Sequence, residues 1–230
     1  MLLEELRKDV CEANRELERR RLVLFTWGNV SGIDRAAKLM VIKPSGVAYA
    51  DLTPEKMVVM NLDGTVAEGT LNPSSDAPTH LVLYSEFPTI GGVTHTHSRY
   101  ATMFAQACRP IPCLGTTHAD HFRGEIPVTR TLRKPEIEGH YERCTGFVIV
   151  ERFSRQESRD TPAVLVANHG PFTWGPTPAA SVVNSVILEE VARMAAGTLQ
   201  LAPSIGALPG NLMDRHFMRK HGPGATYGQK

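Results

Sequence analysis

The sequence predicts a layered α/β domain, and two observations lead to that fold class. Some segments repeat apolar residues at helical spacing, whereas others are short apolar runs that end at Gly, Pro or Asn, as strands do. The two kinds alternate along the chain, without an internal repeat, a low-complexity segment or a linker. Since 42% of the 230 residues are hydrophobic, enough for a sizeable core, we expect residues 1–230 to form one domain.

The first third of the chain predicts one helix and a set of strands. Residues 2–20 form an amphipathic helix, since apolar side chains recur every three or four residues at Leu3, Leu6, Val10, Ala13 and Leu17. Residues 22–34 read as a strand running into an Asn/Gly turn, and residues 38–46 as a strand that stops at Pro-Ser-Gly. Asp63-Gly64 between two apolar runs predicts a hairpin over residues 56–69.

The rest of the chain continues the alternation. We predict a capped helix over residues 73–87, a short strand over 90–97 and a helix from about Tyr100 to Ala107. Residues 108–145 are loop-rich, and two strands follow at 146–153 and 162–170. Thr177 is a plausible N-cap for a long helix with Pro178 in its first position, and a short helix and a Gly-rich tail follow from residue 210.

Composition narrows the classes of function. A formal net charge of +1 argues against a nucleic-acid or membrane-surface partner that needs a strong basic field. The four cysteines show no CxxC pairing, which favours a reducing compartment. The charged start lacks a signal-peptide core, and no window approaches 18 consecutive apolar residues. We therefore expect a cytoplasmic protein.

Three histidines suggest a metal site. His95 and His97 are two residues apart in a predicted strand, so they project from the same face. His169 ends another predicted strand, and Gly170 after it permits close backbone approach. With Asp76 as a candidate carboxylate, three histidines and an exchangeable fourth position describe a catalytic zinc site. The competing interpretation is that these histidines are exposed or hydrogen-bonded for structural reasons.

Three turns have the composition of an anion-binding surface. Residues 26–31 (TWGNVS), 43–46 (KPSG) and 73–76 (PSSD) present hydroxyls, an amide or backbone N–H groups, and Lys43 adds a point charge. Each is also an ordinary turn sequence. Neither a nucleotide P-loop motif nor a dinucleotide fingerprint occurs in the sequence. Beside a metal site, the three turns favour a small phosphorylated substrate.

Together these motifs resemble a known family. TWGNVS, KPSG, PSSDAPTH, HTHSRYAT, GTTHAD, NHGPF and the terminal RKHG…YGQ resemble the L-ribulose-5-phosphate 4-epimerase branch of the class II aldolase family, over residues 2–229. HTHS, KPSG and NHG are shared across the family. PSSD, GTTHAD and the Tyr-Gly-Gln tail are typical of the epimerase branch, whereas the aldolase branch has glutamate where Asp76 stands.

The resemblance implies a fold, an assembly and a binding site. The fold is a three-layer α/β/α arrangement around a mostly antiparallel sheet, assembled as a homotetramer with active sites between subunits. Zn²⁺, with Mn²⁺ or Co²⁺ as substitutes, would be held by His95, His97 and His169, with Asp76 close enough to be a ligand. The phosphate of a ketopentose would sit among Asn29, Lys43, Ser45, Gly46, Ser74 and Ser75.

The resemblance also implies the reaction, which interconverts L-ribulose 5-phosphate and D-xylulose 5-phosphate by retro-aldol cleavage and re-formation of the C3–C4 bond. Thr116 and Asp120 would act from the GTTHAD loop. His216 and Tyr227 would act from a C-terminal segment, residues 211–230, that contacts a neighbouring subunit. Asp120 and Tyr227 are our candidates for proton transfer on the two faces. The alternatives are a sugar-phosphate aldolase of the L-fuculose-1-phosphate type and a non-catalytic interaction module of the same fold.

Overall fold

Seven strands build the sheet at the centre of the protein. The computed structural model describes residues 1–153, 157–226 and 228. The strands are β1 (Asn29–Asp34), β2 (Leu39–Ile42), β3 (Val58–Asn61), β4 (Val66–Glu68), β5 (Gly92–His95), β6 (Ala163–Leu165) and β7 (Pro171–Gly175). Their order in the sheet is β4-β3-β2-β1-β5-β7-β6, and every neighbouring pair is antiparallel.

Helices cover both faces of this sheet. The α-helices are α1 (Glu4–Arg19), α2 (Ala77–Glu86), α3 (Arg99–Gln106), α4 (Thr116–Ala119), α5 (Lys134–Glu138), α6 (Tyr141–Arg152), α7 (Glu157–Asp160), α8 (Pro178–Leu201) and α9 (Gly210–His221). Two short 3₁₀ helices, Tyr49–Asp51 and Pro54–Lys56, join β2 to β3. No helix within the described residues combines the length and the apolar character needed to cross a bilayer.

The alternation of side chains along β2 shows how the layers form. Met40 and Ile42 point into a core shared with α2 and α6, whereas Val41 points into a core shared with α1. Neighbouring residues of a strand face opposite sides, so one short strand contributes to both cores. The long helix α8 and helix α3 close the second face around Leu165. The predicted fold class, an α/β/α arrangement around an antiparallel sheet, is therefore confirmed.

Most of the predicted elements are present. The helix predicted over residues 2–20 is α1, the hairpin over 56–69 is β3–β4, and the helix over 73–87 is α2. Thr177 caps α8, since its side chain accepts a hydrogen bond from the Ala180 N–H, and Pro178 is the first helical residue. These segments have strong local signals in their capping residues, turn residues or apolar periodicity.

The strand predicted over residues 146–153 is wrong, because this segment is the second half of α6. The buried positions Thr145, Val148 and Ile149 follow helical spacing, and Phe147 between them is exposed. Gly146 lets α6 approach α2, since a Cβ there would lie 2.6 Å from the Val82 Cβ. A short apolar run such as Phe-Val-Ile-Val fits a buried strand or a buried helix equally well.

Two other strand predictions have wrong limits. Residues 22–28 precede β1, which begins only at Asn29, where a turn was expected. The strand predicted over 162–170 ends at Leu165, so His169 lies in a turn and not at the end of a strand. The chain then re-enters the sheet as β7, which the sequence interpretation missed.

Candidate active site

One cleft gathers the predicted metal and phosphate residues. It has a volume of about 650 Å³ and is lined by ten of the predicted site residues: Asn29, Lys43, Ser45, Gly46, Ser74, Ser75, Asp76, His95, His97 and His169. The cleft lies where β1 begins, where β2 and β5 end, and at the first turns of α2 and α6. Residues that are far apart in sequence meet here because β1, β5 and β7 are neighbours in the sheet.

The three histidines converge on one point. His95 is the last residue of β5 and pairs with Asn29 of β1 and Phe172 of β7. His97 follows just beyond the strand, and His169 lies in the turn before β7. One ring nitrogen from each histidine lies within 4.8 Å of the others, and the Nε2 atoms of His95 and His97 are 3.1 Å apart. This donor set fits a divalent cation such as Zn²⁺.

Hydrogen bonds to the outer nitrogens of the rings determine which nitrogens face the point where the three histidines converge. His95 Nδ1 lies 2.9 Å from the Pro171 carbonyl oxygen, so Nδ1–H donates and Nε2 presents a lone pair. His169 Nδ1 lies 3.3 Å from the Tyr141 hydroxyl. A metal ligand needs this arrangement, in which the outer nitrogen carries the proton and the inner one is free.

The cleft keeps the imidazoles of His97 and His169 neutral. Loss of water, together with the neighbouring His95, lowers the pKa of His97 to about 4. The same two causes, with His97 added, lower the pKa of His169. Because metal binding requires unprotonated imidazole, both rings are ready to bind a cation at neutral pH without releasing a proton.

Gly170 is required by the close approach of two chain segments. A Cβ at this position would lie 2.8 Å from the Thr96 carbonyl oxygen and 3.2 Å from His97 Cδ2. The turn that carries His169 can therefore pack against the segment that carries His97 only if residue 170 has no side chain. Thus the glycine of the NHG motif brings the third histidine to the other two.

Asp76 occupies the N-cap position of α2 but does not cap the helix with its side chain. Instead its Oδ2 accepts a hydrogen bond of 2.6 Å from Asn29 Nδ2, which is also 3.0 Å from Ser74 Oγ. Burial alone would raise the pKa of Asp76, but the neighbouring imidazoles of His95 and His80 and the Asn29 hydrogen bond lower it. The carboxylate is thus held ionised in the cleft, where it can bind a cation or a substrate hydroxyl.

The turns at residues 43–46 and 73–76 are joined to each other. Pro44 and Pro73 form an antiparallel bridge, Ser45 N donates to the Asn72 carbonyl, and Ser74 N donates to the Lys43 carbonyl. Asn29 ties the third turn to Ser74. The turn at residues 73–76 also leads into the first turn of α2, whose dipole favours an anion. The three turns therefore form one polar surface beside the histidines.

Lys43 is a buried lysine in this surface. Its side chain is 2% exposed, its Nζ lies 3.3 Å from the Pro44 carbonyl oxygen, and the Tyr49 ring centroid is 5.0 Å away. Burial lowers the pKa of Lys43 to about 8. Among the described residues no carboxylate forms a salt bridge with Lys43. An anion bound in the cleft would therefore supply the missing negative counter-charge.

Three other predicted residues, Thr116, Asp120 and His216, lie in a separate cluster, in which α9 packs against α4. Thr116 begins α4, and Asp120 follows the helix, accepting from His216 Nδ1 at 3.0 Å and from Arg219 Nη2 at 2.7 Å. Burial would raise the pKa of Asp120, but these two donors lower it. Among the described residues that line the cleft, Thr116, Asp120 and His216 do not occur. Tyr227 lies outside the described residues.

The cleft also contains residues that the sequence interpretation missed. Trp27 lines its mouth, with its ring centroid 6.3 Å from that of His97, and Tyr141 and Glu142 line the wall formed by α6. Trp27 stood inside a quoted motif, TWGNVS, and could have been found there. Tyr141 and Glu142 had no such signal, because the segment was interpreted as loop followed by strand.

Comparison with known proteins gives a consistent picture. A family described as class II aldolase and adducin N-terminal domain matches residues 8–196. The chain is 52% identical to L-ribulose-5-phosphate 4-epimerase UlaF of Salmonella paratyphi B over 228 residues, covering 99% of this chain and 100% of that protein. The UlaF protein of Salmonella typhi matches with the same identity, 52%, and the same coverage.

Solved structures agree on the fold. An L-fuculose 1-phosphate aldolase superimposes with a TM-score of 0.71 and 26% identity, covering 92% of this chain and 94% of the other. The L-fuculose-1-phosphate aldolase of Thermus thermophilus has a TM-score of 0.66 and 22% identity, covering 88% of this chain and 98% of its own. At 22% identity the second match supports the fold alone.

Proposed function

Because the chain belongs to the class II aldolase and adducin N-terminal domain family, we propose that it is a metal-dependent L-ribulose-5-phosphate 4-epimerase. The observation that carries the proposal is the cleft itself, in which three convergent imidazoles lie beside a polar, lysine-containing surface. The 52% identity to UlaF proteins over 99% of the chain supports the substrate, a phosphorylated ketopentose.

His95, His97 and His169 would hold the cation, and Asp76 is a further candidate ligand. We propose Zn²⁺, with Mn²⁺ or Co²⁺ as substitutes, since all three accept imidazole ligands. When bound, the cation supplies Lewis-acid stabilisation of the negative charge that develops on the substrate's C2 and C3 oxygens. Simple deprotonation at C4 would leave an unstabilised carbanion, so we propose that the C3–C4 bond is cleaved instead. The bonding electron pair would then remain on C3, beside the C2 carbonyl, where its negative charge needs this stabilisation.

The phosphate surface has a second task beyond affinity. Ser45, Gly46, Ser74 and Ser75, with Asn29 and Lys43, would hold the phosphate of the two-carbon aldehyde fragment after cleavage. A fragment tethered in this way can rotate and present its opposite face without leaving the cleft. Re-addition to that face inverts C4 and gives D-xylulose 5-phosphate.

Proton transfer needs an acceptor on one face of C4 and a donor on the other. We assign these roles to Asp120 and Tyr227, with His216 and Thr116 assisting. Since Asp120 and His216 do not line the cleft of their own chain among the described residues, a second copy has to deliver them. We therefore propose a homotetramer in the cytoplasm, with each active site shared between two subunits and with residues 211–230 at the interface.

The test is one reaction. Metal-replete protein is mixed with L-ribulose 5-phosphate, and D-xylulose 5-phosphate is measured. We expect conversion that a chelator abolishes and that Zn²⁺ restores. Bound metal without conversion would contradict the proposal and direct the assay to L-fuculose 1-phosphate, the substrate type of the aldolase that shares the fold. Protein that binds no divalent ion would instead favour a non-catalytic module.

The shared site has its own test. His97→Asn removes a metal ligand and Asp120→Asn removes the acceptor, so each variant alone should be inactive. After the two variants are unfolded and refolded together in equal amounts, roughly a quarter of all sites would combine the intact half of each variant. Recovery of activity near that fraction supports the shared site, whereas no recovery places both residues in the same chain's site.

A further inference from the structure

The three histidines differ in what holds their outer nitrogens. His95 Nδ1–H donates to a backbone carbonyl, that of Pro171, at 2.9 Å. A carbonyl in the sheet is a rigid acceptor, because β7 pairs with β5 on one side and β6 on the other. His169 has instead a side-chain partner, the Tyr141 hydroxyl at 3.3 Å, and sits in a turn outside the sheet.

The ring of His169 packs against the rings of His95 and His97, and the turn that carries His169 fixes its backbone. Asn168, just before it, has a positive φ of 62°, and His169 N donates to the Val166 carbonyl within the same turn. These features fix the backbone and the position of the ring, but they do not determine which ring nitrogen carries the proton. Only the partner of Nδ1 distinguishes the tautomer that can bind a cation through Nε2 from the one that cannot.

Tyr141 is well placed to make that choice. It is the first residue of α6, and its neighbour Glu142 accepts through its carbonyl a 2.5 Å hydrogen bond from Thr79 Oγ1 in the first turn of α2. Thr145 Oγ1 donates to the Tyr141 carbonyl at 2.9 Å. The start of α6 is therefore tied to α2, the helix that Asp76 precedes.

We propose that Tyr141 is a positioning residue, whose hydroxyl oxygen accepts a hydrogen bond from His169 Nδ1–H and so presents His169 Nε2 to the cation. This inference rests on the proposed metal-binding role of the three histidines. Residues that orient ligating histidines in this way contribute about tenfold to a hundredfold to metal affinity. Tyr141 thus does for His169 what the Pro171 carbonyl does for His95.

The experiment compares Tyr141→Phe with the wild type, using Zn²⁺ alone and a competing chelator as the affinity probe. Tyr100→Phe is the matched control, because it removes a phenol hydroxyl from a half-buried ring that does not line the cleft. We expect the Zn²⁺ dissociation constant to rise about tenfold to a hundredfold in Tyr141→Phe and to stay unchanged in the control. In the metal-free protein, ¹⁵N spectra should show His169 shifting toward the tautomer protonated at Nε2.

Other results would overturn the proposal. A Zn²⁺ affinity within twofold of the wild type means that Tyr141 does not position the ligand. A fall in kcat with unchanged Zn²⁺ affinity means that the hydroxyl acts on the substrate. A second pair of variants tests the same inference independently. Thr79→Val should weaken Zn²⁺ binding, though by less than Tyr141→Phe does. Thr79→Ser, which keeps the hydroxyl, should leave Zn²⁺ binding unchanged. The Zn²⁺ affinities and the ¹⁵N spectra do not depend on L-ribulose 5-phosphate, so failure here is distinct from failure of the proposed reaction.

Discussion

The two polar clusters of this protein are built in opposite ways. In the cleft, the imidazoles of His97 and His169 are held neutral by loss of water, and Lys43 is buried with a lowered pKa. In the α4–α9 cluster, Asp120 is already matched with Arg219 and His216. The first cluster is prepared to receive charge from outside, whereas the second satisfies its charge internally.

This difference separates two tasks of the proposed reaction. The cleft has the groups that bind a cation and a phosphate, and the α4–α9 cluster has a carboxylate suited to proton transfer. Substitutions in the two regions should therefore fail in different ways. Those in the cleft should change what is bound, and those in the cluster should change only the rate of the chemical step.

The largest effect is expected for His97→Ala. Removing one of three ligands should abolish stable Zn²⁺ binding, and kcat should fall by at least about a thousandfold because Lewis-acid stabilisation is worth several kcal/mol. Elemental analysis of the purified variant measures the metal directly. A full complement of Zn²⁺ in this variant would contradict the ligand assignment.

Asp120→Asn should be the next most severe change, but with the opposite signature. The amide keeps the size of the side chain and removes the proton acceptor, so kcat should fall by about 10²–10⁴-fold while Zn²⁺ content stays at the wild-type level. Asp214→Asn is the matched control, since this aspartate lies on α9, the helix that pairs with Asp120, and pairs with Arg123 on the surface. Equal effects of the two substitutions would show that Asp120 matters only for helix packing.

Lys43→Met should affect binding and not the rate of chemistry. We expect KM to rise about tenfold to a hundredfold, the range for losing a hydrogen bond between charged groups, and kcat to change little. Lys134→Met, at an exposed position, is the control. A lower kcat with an unchanged KM would remove Lys43 from the phosphate surface.

The lowered pKa of Lys43 also gives this prediction a pH dependence. Below about pH 8 the amine is protonated and can pair with the phosphate, which remains a dianion above about pH 6. As the pH rises through about 8 the ammonium is lost, so KM for the wild type should increase. KM for Lys43→Met should show no such increase over the same range.

The smallest effect is expected for Arg219→Gln. The guanidinium is one of the two donors that lower the pKa of Asp120 against the effect of burial, so its removal should raise that pKa. The acidic limb of the kcat profile should then move to higher pH, because Asp120 becomes protonated earlier as the pH falls. An unmoved limb in this variant would mean that Asp120 does not set the acidic side of the profile.

The sequence was sufficient where local signals were strong, and it failed where tertiary context decided. Ten site residues could be assigned to one site from short motifs, and these residues line a single cleft. Phe147 to Val150 could not be assigned correctly, because a run of four apolar residues has no period that distinguishes a strand from a helix. That one error hid Tyr141, since a residue that begins a helix cannot be recognised when the helix is interpreted as a loop followed by a strand.

The placement of His169 taught a related lesson. The interpretation took the apolar run before it as one long strand, whereas the strand ends at Leu165 and the chain turns back into β7. The turn could not be predicted from the sequence, because it depends on the pairing of β7 with β5 and the sequence has no motif for that pairing. The residue motifs thus predicted the chemistry of the site, whereas the sequence signals for its backbone were weak.

The position of His169 has a consequence for the stability of the chain as a whole. His97 and His169 stand at the two ends of a long connection that contains helices α3 to α7 and strand β6. A cation shared between them would act as a cross-link that exists only in the folded state, so it would stabilise folding by an amount that grows with the logarithm of its concentration over its dissociation constant. Because the entropy of closing a loop grows with its length, the unfolded chain would rarely bring these ligands together. Chelation should therefore lower the melting temperature as well as the activity, and thermal denaturation becomes a way to follow metal occupancy without any substrate.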